Sequence, residues 1–144
     1  MTKIYTWKDS IRFRDCDSLG HVNNAVYHSY LENCRTHWLD DCLGLKIFES
    51  GDRIPIILAH TSIDYLGQLR LATELRITCA LTKVGRKSFQ HHYLIFGDDN
   101  ICAKASAVLV WYNFDEQQSI QIPEEERKIM LTLLNKDENA GNHE

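Results

Sequence analysis

The chain has 144 residues, 44% of them hydrophobic and 25% charged, the make-up of one soluble globular domain long enough to bury a core. Its formal charge of −4, with sixteen basic residues scattered along the sequence, excludes the basic patch that nucleic-acid phosphates require. Five cysteines without a C-x-x-C pair argue against a disulfide framework or a structural zinc; Met1 to Asp9 carries no apolar signal core, and no apolar run could span a membrane, so a cytoplasmic protein with free thiols is expected.

The first predicted element is a strand over residues 5–14, which runs into D-C-D-S-L-G-H-V-N-N at 15–24, where carboxylates, a glycine and an Asn pair precede a helix. Over 24–43 the apolar residues Tyr27, Tyr30, Leu31, Cys34, Trp38 and Cys42 recur at helical spacing, with His28, Glu32, Arg35, Asp40 and Asp41 among the polar remainder. Asn23 is suited to cap the start of this helix and Gly44 to follow its end. A strand over 56–65 comes next. The period then changes to two: residues 75–81 alternate, and Phe89, His91, Tyr93 and Ile95 share one face of the following strand.

Gly97-Asp98-Asp99-Asn100 turns the chain into a long strand over 101–114, where Ala103, Ala105 and Ala107 would let a helix approach closely; that places the strand mid-sheet, against the long helix. Pro123 and three acids, Glu124, Glu125 and Glu126, open a short final helix, as the helix dipole favours. The order β-α-β-β-β-β with short antiparallel connections gives a single α+β domain over 1–136, in which one helix covers one sheet face, and a polar tail over 137–144.

The pattern D-C-D-x-x-G-H-V-N-N-x-x-Y from Asp15 to Tyr27, continuing to Glu32 and Arg35 on the helix, closely resembles the first motif of hotdog-fold acyl-CoA thioesterases of the 4-hydroxybenzoyl-CoA thioesterase-like group, and the resemblance runs over about residues 4–113. It implies a curved antiparallel five-stranded sheet wrapped around a long central helix. It also implies hydrolysis of acyl-CoA to a free acid and CoA, with no metal and no cofactor beyond the CoA of the substrate, in a homodimer or homotetramer with sites at subunit interfaces. By resemblance Asp17 is the catalytic carboxylate and the Asn24 backbone N–H polarises the carbonyl. Gly20 would let the backbone pass closely between them, and His21 is a secondary site residue. The segment Val84-Gly85-Arg86-Lys87-Ser88-Phe89 is similar to the family segment that contacts CoA phosphates across the subunit interface, through Arg86, Lys87 and more weakly Ser88.

Thioester hydrolysis demands little machinery, because the leaving thiolate resembles a cysteine of pKa about 8.5 and departs without a strong general acid. An ordinary aspartate is ionised at neutral pH; Asp17 could attack the carbonyl to form a mixed anhydride or act as general base on water, and sequence does not separate the two. Unpaired amides at a helix N-terminus would hold the developing oxyanion. Each residue also has a plainer reading. Asp17 can be a turn aspartate, His21 a scaffold histidine and G-R-K-S a solvated hairpin turn, while Asp15, pointing away from Asp17 in an extended segment, is structural. His28, His60, His91 and His92 show no metal-ligand spacing, and the acids flanking Cys16 would raise rather than lower its thiol pKa. Residues 60–65 fall where the family lines its acyl pocket, and Tyr27, Phe89, Tyr93, Phe96 and Trp111 can wall an aromatic or an aliphatic cavity. Two alternatives stay open: a non-catalytic acyl-CoA-binding module, and a hydratase or dehydratase, for which no carboxylate pairs clearly with His21. The carrier is CoA or an acyl carrier protein, and the basic pair leans towards CoA.

Overall fold

The computed structural model describes residues 3–51 and 53–135, so the tail expected over 137–144 lies outside the described residues. In chain order the elements are β1 (Ile4–Asp9), α1 (Val26–Leu43), α2 (Ile47–Ser50), β2 (Ile56–Tyr65), β3 (Leu75–Val84), β4 (Ser88–Gly97), β5 (Asn100–Asn113), β6 (Gln118–Ser119) and α3 (Glu124–Leu133). The main strands form one antiparallel sheet in the order β1-β3-β4-β5-β2, and the two-residue β6 pairs with the end of β5. Register shifts between Leu58 and His60, Leu81 and Lys83, and Ile95 and Phe96 bend the strands and curl the sheet around α1. This is the hotdog architecture. No helix among the described residues is long and apolar enough to cross a membrane.

The first strand is shorter than the sequence suggests. Its pairing ends at Asp9 opposite Leu75, the first residue of β3, so nothing remains for residues 10–14 to pair with. Phe13–Asp15 instead form a 3-10 turn: the Asp15 N–H donates to the Arg12 carbonyl at 2.9 Å, and the Asp15 carboxylate accepts the Arg12 N–H at 2.9 Å.

Of the two helix-end expectations the one at Gly44 holds, whereas the residue that precedes the regular helix is Ala25, with no side-chain cap, and Asn23 stands two residues earlier. The Asn23 side chain accepts the Ala25 N–H at 2.9 Å and its carbonyl accepts the Val26 N–H, closing a first tight turn from which the regular helix departs. Gly44 takes φ 67°, letting its own N–H reach the Asp40 carbonyl and that of Leu45 reach Leu39, so two carbonyls of the last turn are satisfied. The buried face of α1 carries Tyr27, Tyr30, Leu31, Cys34, Arg35, Trp38, Leu39 and Leu43. It packs with the inward side chains of β3 and β4, Trp38 lying 4.3 Å from the His91 ring and 5.9 Å from Phe89.

The strand β5 is mid-sheet as expected, but its alanines serve another purpose. The closest backbone approach of α1 is to β3 and β1. Ala103, Ala105 and Ala107 stand opposite Ile95, Tyr93 and His91, so the small side chains make room for large neighbours on β4. Pro123 precedes α3 as predicted, and Met130 and Leu133 bury its apolar side.

Candidate active site

The segment before α1 folds back on itself. The Asp17 N–H donates to the His21 carbonyl at 2.8 Å, the Gly20 N–H donates to the Asp17 carbonyl at 3.1 Å, and Gly20 has φ +80°. A Cβ at Gly20 would meet nothing within 4 Å, so the glycine is required for its left-handed backbone and not, within this chain, for a close approach. Cys16 pairs with Val22 and His21 with Arg70, while the Val22 N–H donates to Leu69 and the Asn23 N–H to Asp15, which fastens the loop to residues 69–70.

Inside this loop Asp17 is exposed, and its two oxygens differ. Oδ1 accepts the Leu19 N–H at 2.9 Å and the His21 N–H at 3.2 Å, the turn-forming use that any loop aspartate can have. Oδ2 makes no hydrogen bond among the described residues. The His21 imidazole likewise makes none; it is the His21 main chain, not its ring, that orients Asp17.

Asp15 is the opposite case. It is 4% exposed, and its Oδ2 accepts both the Arg12 N–H and the Tyr30 hydroxyl, the latter at 2.8 Å. Burial by itself would raise the carboxyl's pKa, but the Arg12 amide, the Tyr30 hydroxyl and the Arg12 guanidinium outweigh it and hold the group below the usual carboxylate range. Burial and the facing Asp15 push the Tyr30 hydroxyl far up, so it stays a donor.

Asn24 lies at the start of the helix. Its carbonyl accepts the Tyr65 hydroxyl at 3.1 Å and the Tyr27 N–H at 3.3 Å, whereas its own N–H donates to no acceptor among the described residues. An unpaired amide at this end of an 18-residue helix has the dipole behind it. Tyr65, which fastens the end of β2 to this spot and meets Tyr27 edge-on at 5.1 Å, received no role of its own from the sequence, since only the fold brings it to Asn24.

Arg86 and Lys87 occupy the β3–β4 turn, where their carbonyls accept the Ile122 and Trp111 amides and the Gly85 N–H donates to the Ser88 carbonyl. The two basic side chains are exposed on a fixed backbone, beside a cavity of about 580 Å³ lined by Lys83, Gly85 and Ser88. They are not brought to Asp17 within one chain. Ser88 is in register with Val110, whereas Tyr65, at the Asn24 end, is in register with Ala103; seven residues of β5, about 23 Å, separate the two levels. No group of three or more His, Cys, Asp or Glu side chains among the described residues could hold a metal ion.

Residues 11–130 match the family described as the thioesterase-like superfamily. The chain belongs to the thioesterase-like superfamily. A thioesterase from Thermus thermophilus, solved with coenzyme A and Zn, is 30% identical, with a TM-score of 0.79 over 92% of this chain and 94% of that one. A predicted thioesterase from Bacillus stearothermophilus, 21% identical, superposes with a TM-score of 0.84 over 92% of this chain and 98% of its own. Among curated sequences the Bacillus subtilis protein YsmA is 27% identical over 128 residues, 86% of this chain and 83% of YsmA. As a member of the thioesterase-like superfamily the protein is a thioester hydrolase, and the hotdog fold expected from the 15–27 motif is the fold it has.

Proposed function

We propose that the protein hydrolyses acyl-CoA thioesters to the free acid and CoA, with Asp17 as the reacting carboxylate and the Asn24 N–H as donor to the carbonyl oxygen. The observation that carries this reading is the pair of open valences in the one segment that leads into α1: Asp17 Oδ2 and the Asn24 amide each lack a protein partner among the described residues, although their neighbours in the loop are hydrogen-bonded. Either Oδ2 attacks the carbonyl carbon, the oxyanion is held at the Asn24 N–H, thiolate leaves and water then hydrolyses the mixed anhydride, or Asp17 takes a proton from the water that attacks directly. Both routes give acid and thiol without a metal or redox partner, because the thiolate leaves unaided.

Gly20 and the His21 backbone hold Asp17 in place, and Arg86, Lys87 and Ser88 are assigned to the CoA phosphates. The coenzyme A in the Thermus thermophilus relative supports CoA as carrier. The separation of the basic turn from Asp17 favours contact across a subunit interface, in a homodimer or homotetramer.

The test is release of CoA thiol from aromatic, short-chain and long-chain acyl-CoAs by wild type and Asp17→Asn. Wild-type turnover with a loss of about 10²-fold or more in the variant is expected. Equal rates would remove Asp17 from the mechanism, and binding without turnover across the panel would leave the acyl-CoA-binding reading.

A further inference from the structure

Asn24, whose open amide is assigned to the carbonyl oxygen, stands before the regular helix, which begins at Val26. The hydrogen-bond ladder of α1 therefore does not fix its main chain. On one side it is held through Asn23, whose carbonyl accepts the Val26 N–H at 2.9 Å. On the other its own carbonyl accepts two donors. The Tyr27 N–H is a long contact of 3.3 Å within the same turn, whereas the Tyr65 hydroxyl, at 3.1 Å, comes from β2, 41 residues further along the chain. Among the described residues no other element bonds to Asn24.

Tyr65 is itself fixed in place. Its backbone pairs with Ala103 of β5, and the next two N–H groups, of Leu66 and Gly67, both donate to the Cys102 carbonyl at 2.8 and 3.1 Å. Its ring meets Tyr27 edge-on at 5.1 Å, and the Tyr27 hydroxyl reaches the Gly67 carbonyl at 3.5 Å. The phenol is thus a stiff arm on an anchored strand, with its tip on the residue that carries the open amide. At 41% exposure water can replace its bond to Asn24, so that bond adds little to stability; what it sets is the position of the Asn24 main chain.

We propose that Tyr65 is a positioning residue for thioester hydrolysis: its hydroxyl clamps the Asn24 carbonyl and so fixes the direction of the Asn24 N–H towards the oxygen that becomes negative. The two peptide planes that meet at Asn24 are then both pinned, one by Val26 and one by Tyr65, and the N–H has little freedom left. A donor held in this way needs no reorganisation as charge develops on the substrate oxygen. The catalytic consequence rests on the hydrolase reading above; the clamp does not.

The deciding experiment compares kcat and KM of wild type, Tyr65→Phe and Tyr5→Phe on the acyl-CoA that wild type hydrolyses fastest. Tyr65→Phe keeps the ring and loses only the hydroxyl. It is expected to lower kcat about ten-fold with KM unchanged, since the donor is loosened and not removed. Tyr5 also ties a strand to α1, through Asp41 near the other end of the helix, so Tyr5→Phe loses a matching bond and should keep the wild-type kcat. Wild-type kcat in Tyr65→Phe, an effect on KM alone, or an equal loss in Tyr5→Phe would overturn the proposal. The order parameter of the Asn24 N–H, from amide relaxation, separates the two readings. It should fall in Tyr65→Phe, and an unchanged value would remove the clamp whatever the rates. A fall in a protein that hydrolyses none of the acyl-CoA panel would sink the hydrolase reading and keep the clamp.

Discussion

Asp15 and Asp17 are two residues apart and opposite in kind. Because Asp17 uses Oδ1 to accept two loop amides, an asparagine oxygen can take over that work while losing the charge. Asp17→Asn should therefore keep its denaturation midpoint, while Asp17→Ala, which loses both acceptors, should be destabilised by about 1–2 kcal/mol in urea titrations. Asp15 predicts an acid limb. Its folded pKa lies below the unfolded value of about 3.9, so its contribution is complete above that pH and disappears as pH falls through the folded value. Urea midpoints of Asp15→Asn below about pH 4 should consequently lose less with acidification than those of wild type. The difference between the two aspartates was legible in the motif, although it arises from a 3-10 turn and not from the alternation of a strand. The pairing of Asp17 with the His21 main chain and the openness of Gly20 were not legible, since both depend on the path of the loop in space.

At the scale of elements, α1 and β4 share a polar interior that neither shows alone. His91 sits at 0% exposure among Trp38, Phe89 and Tyr93, with Nδ1 2.8 Å from the Tyr93 hydroxyl and Nε2 without a partner among the described residues. Its folded pKa of about 3 is below the ordinary value of 6.5, so between those values the unfolded chain binds a proton that the folded chain does not. Stability is full above about pH 6.5 and falls on acidification towards pH 3. His91→Phe should flatten that slope by up to about 1.4 kcal/mol per pH unit, measured as urea stability between about pH 4.5 and 6.5, above the window in which Asp15 acts. The spacing of Phe89, His91, Tyr93 and Ile95 was enough to put His91 on the inward face. What faced it was not, because Arg35 and Trp38 reach it from an element more than fifty residues away in sequence.

The whole molecule ends in a bare edge. β2 lies at the end of the sheet opposite β1, and Leu58, Tyr65 and Leu66 along or just beyond it are 45%, 41% and 56% exposed. Such an edge invites a second copy, and the distance between the Arg86–Lys87 turn and Asp17 asks for one. Light scattering should accordingly give two or four times the 16.7 kDa chain mass; a value of one would remove the interfacial assignment of Arg86 and Lys87. The sequence by itself determined the class of fold, the long helix with its glycine stop, the strand order along the chain and the family, because periodicity, a C-terminal glycine and a contiguous motif are local properties that neighbours in the chain fix. Only the tertiary structure decided where β1 stops, what the alanines of β5 accommodate, which oxygen of Asp17 and which amide at the helix start stay open, and that Arg35 is buried beside Tyr93 and His91. Each of these is a question of which distant groups satisfy a backbone or a charge, and partners are assigned by folding.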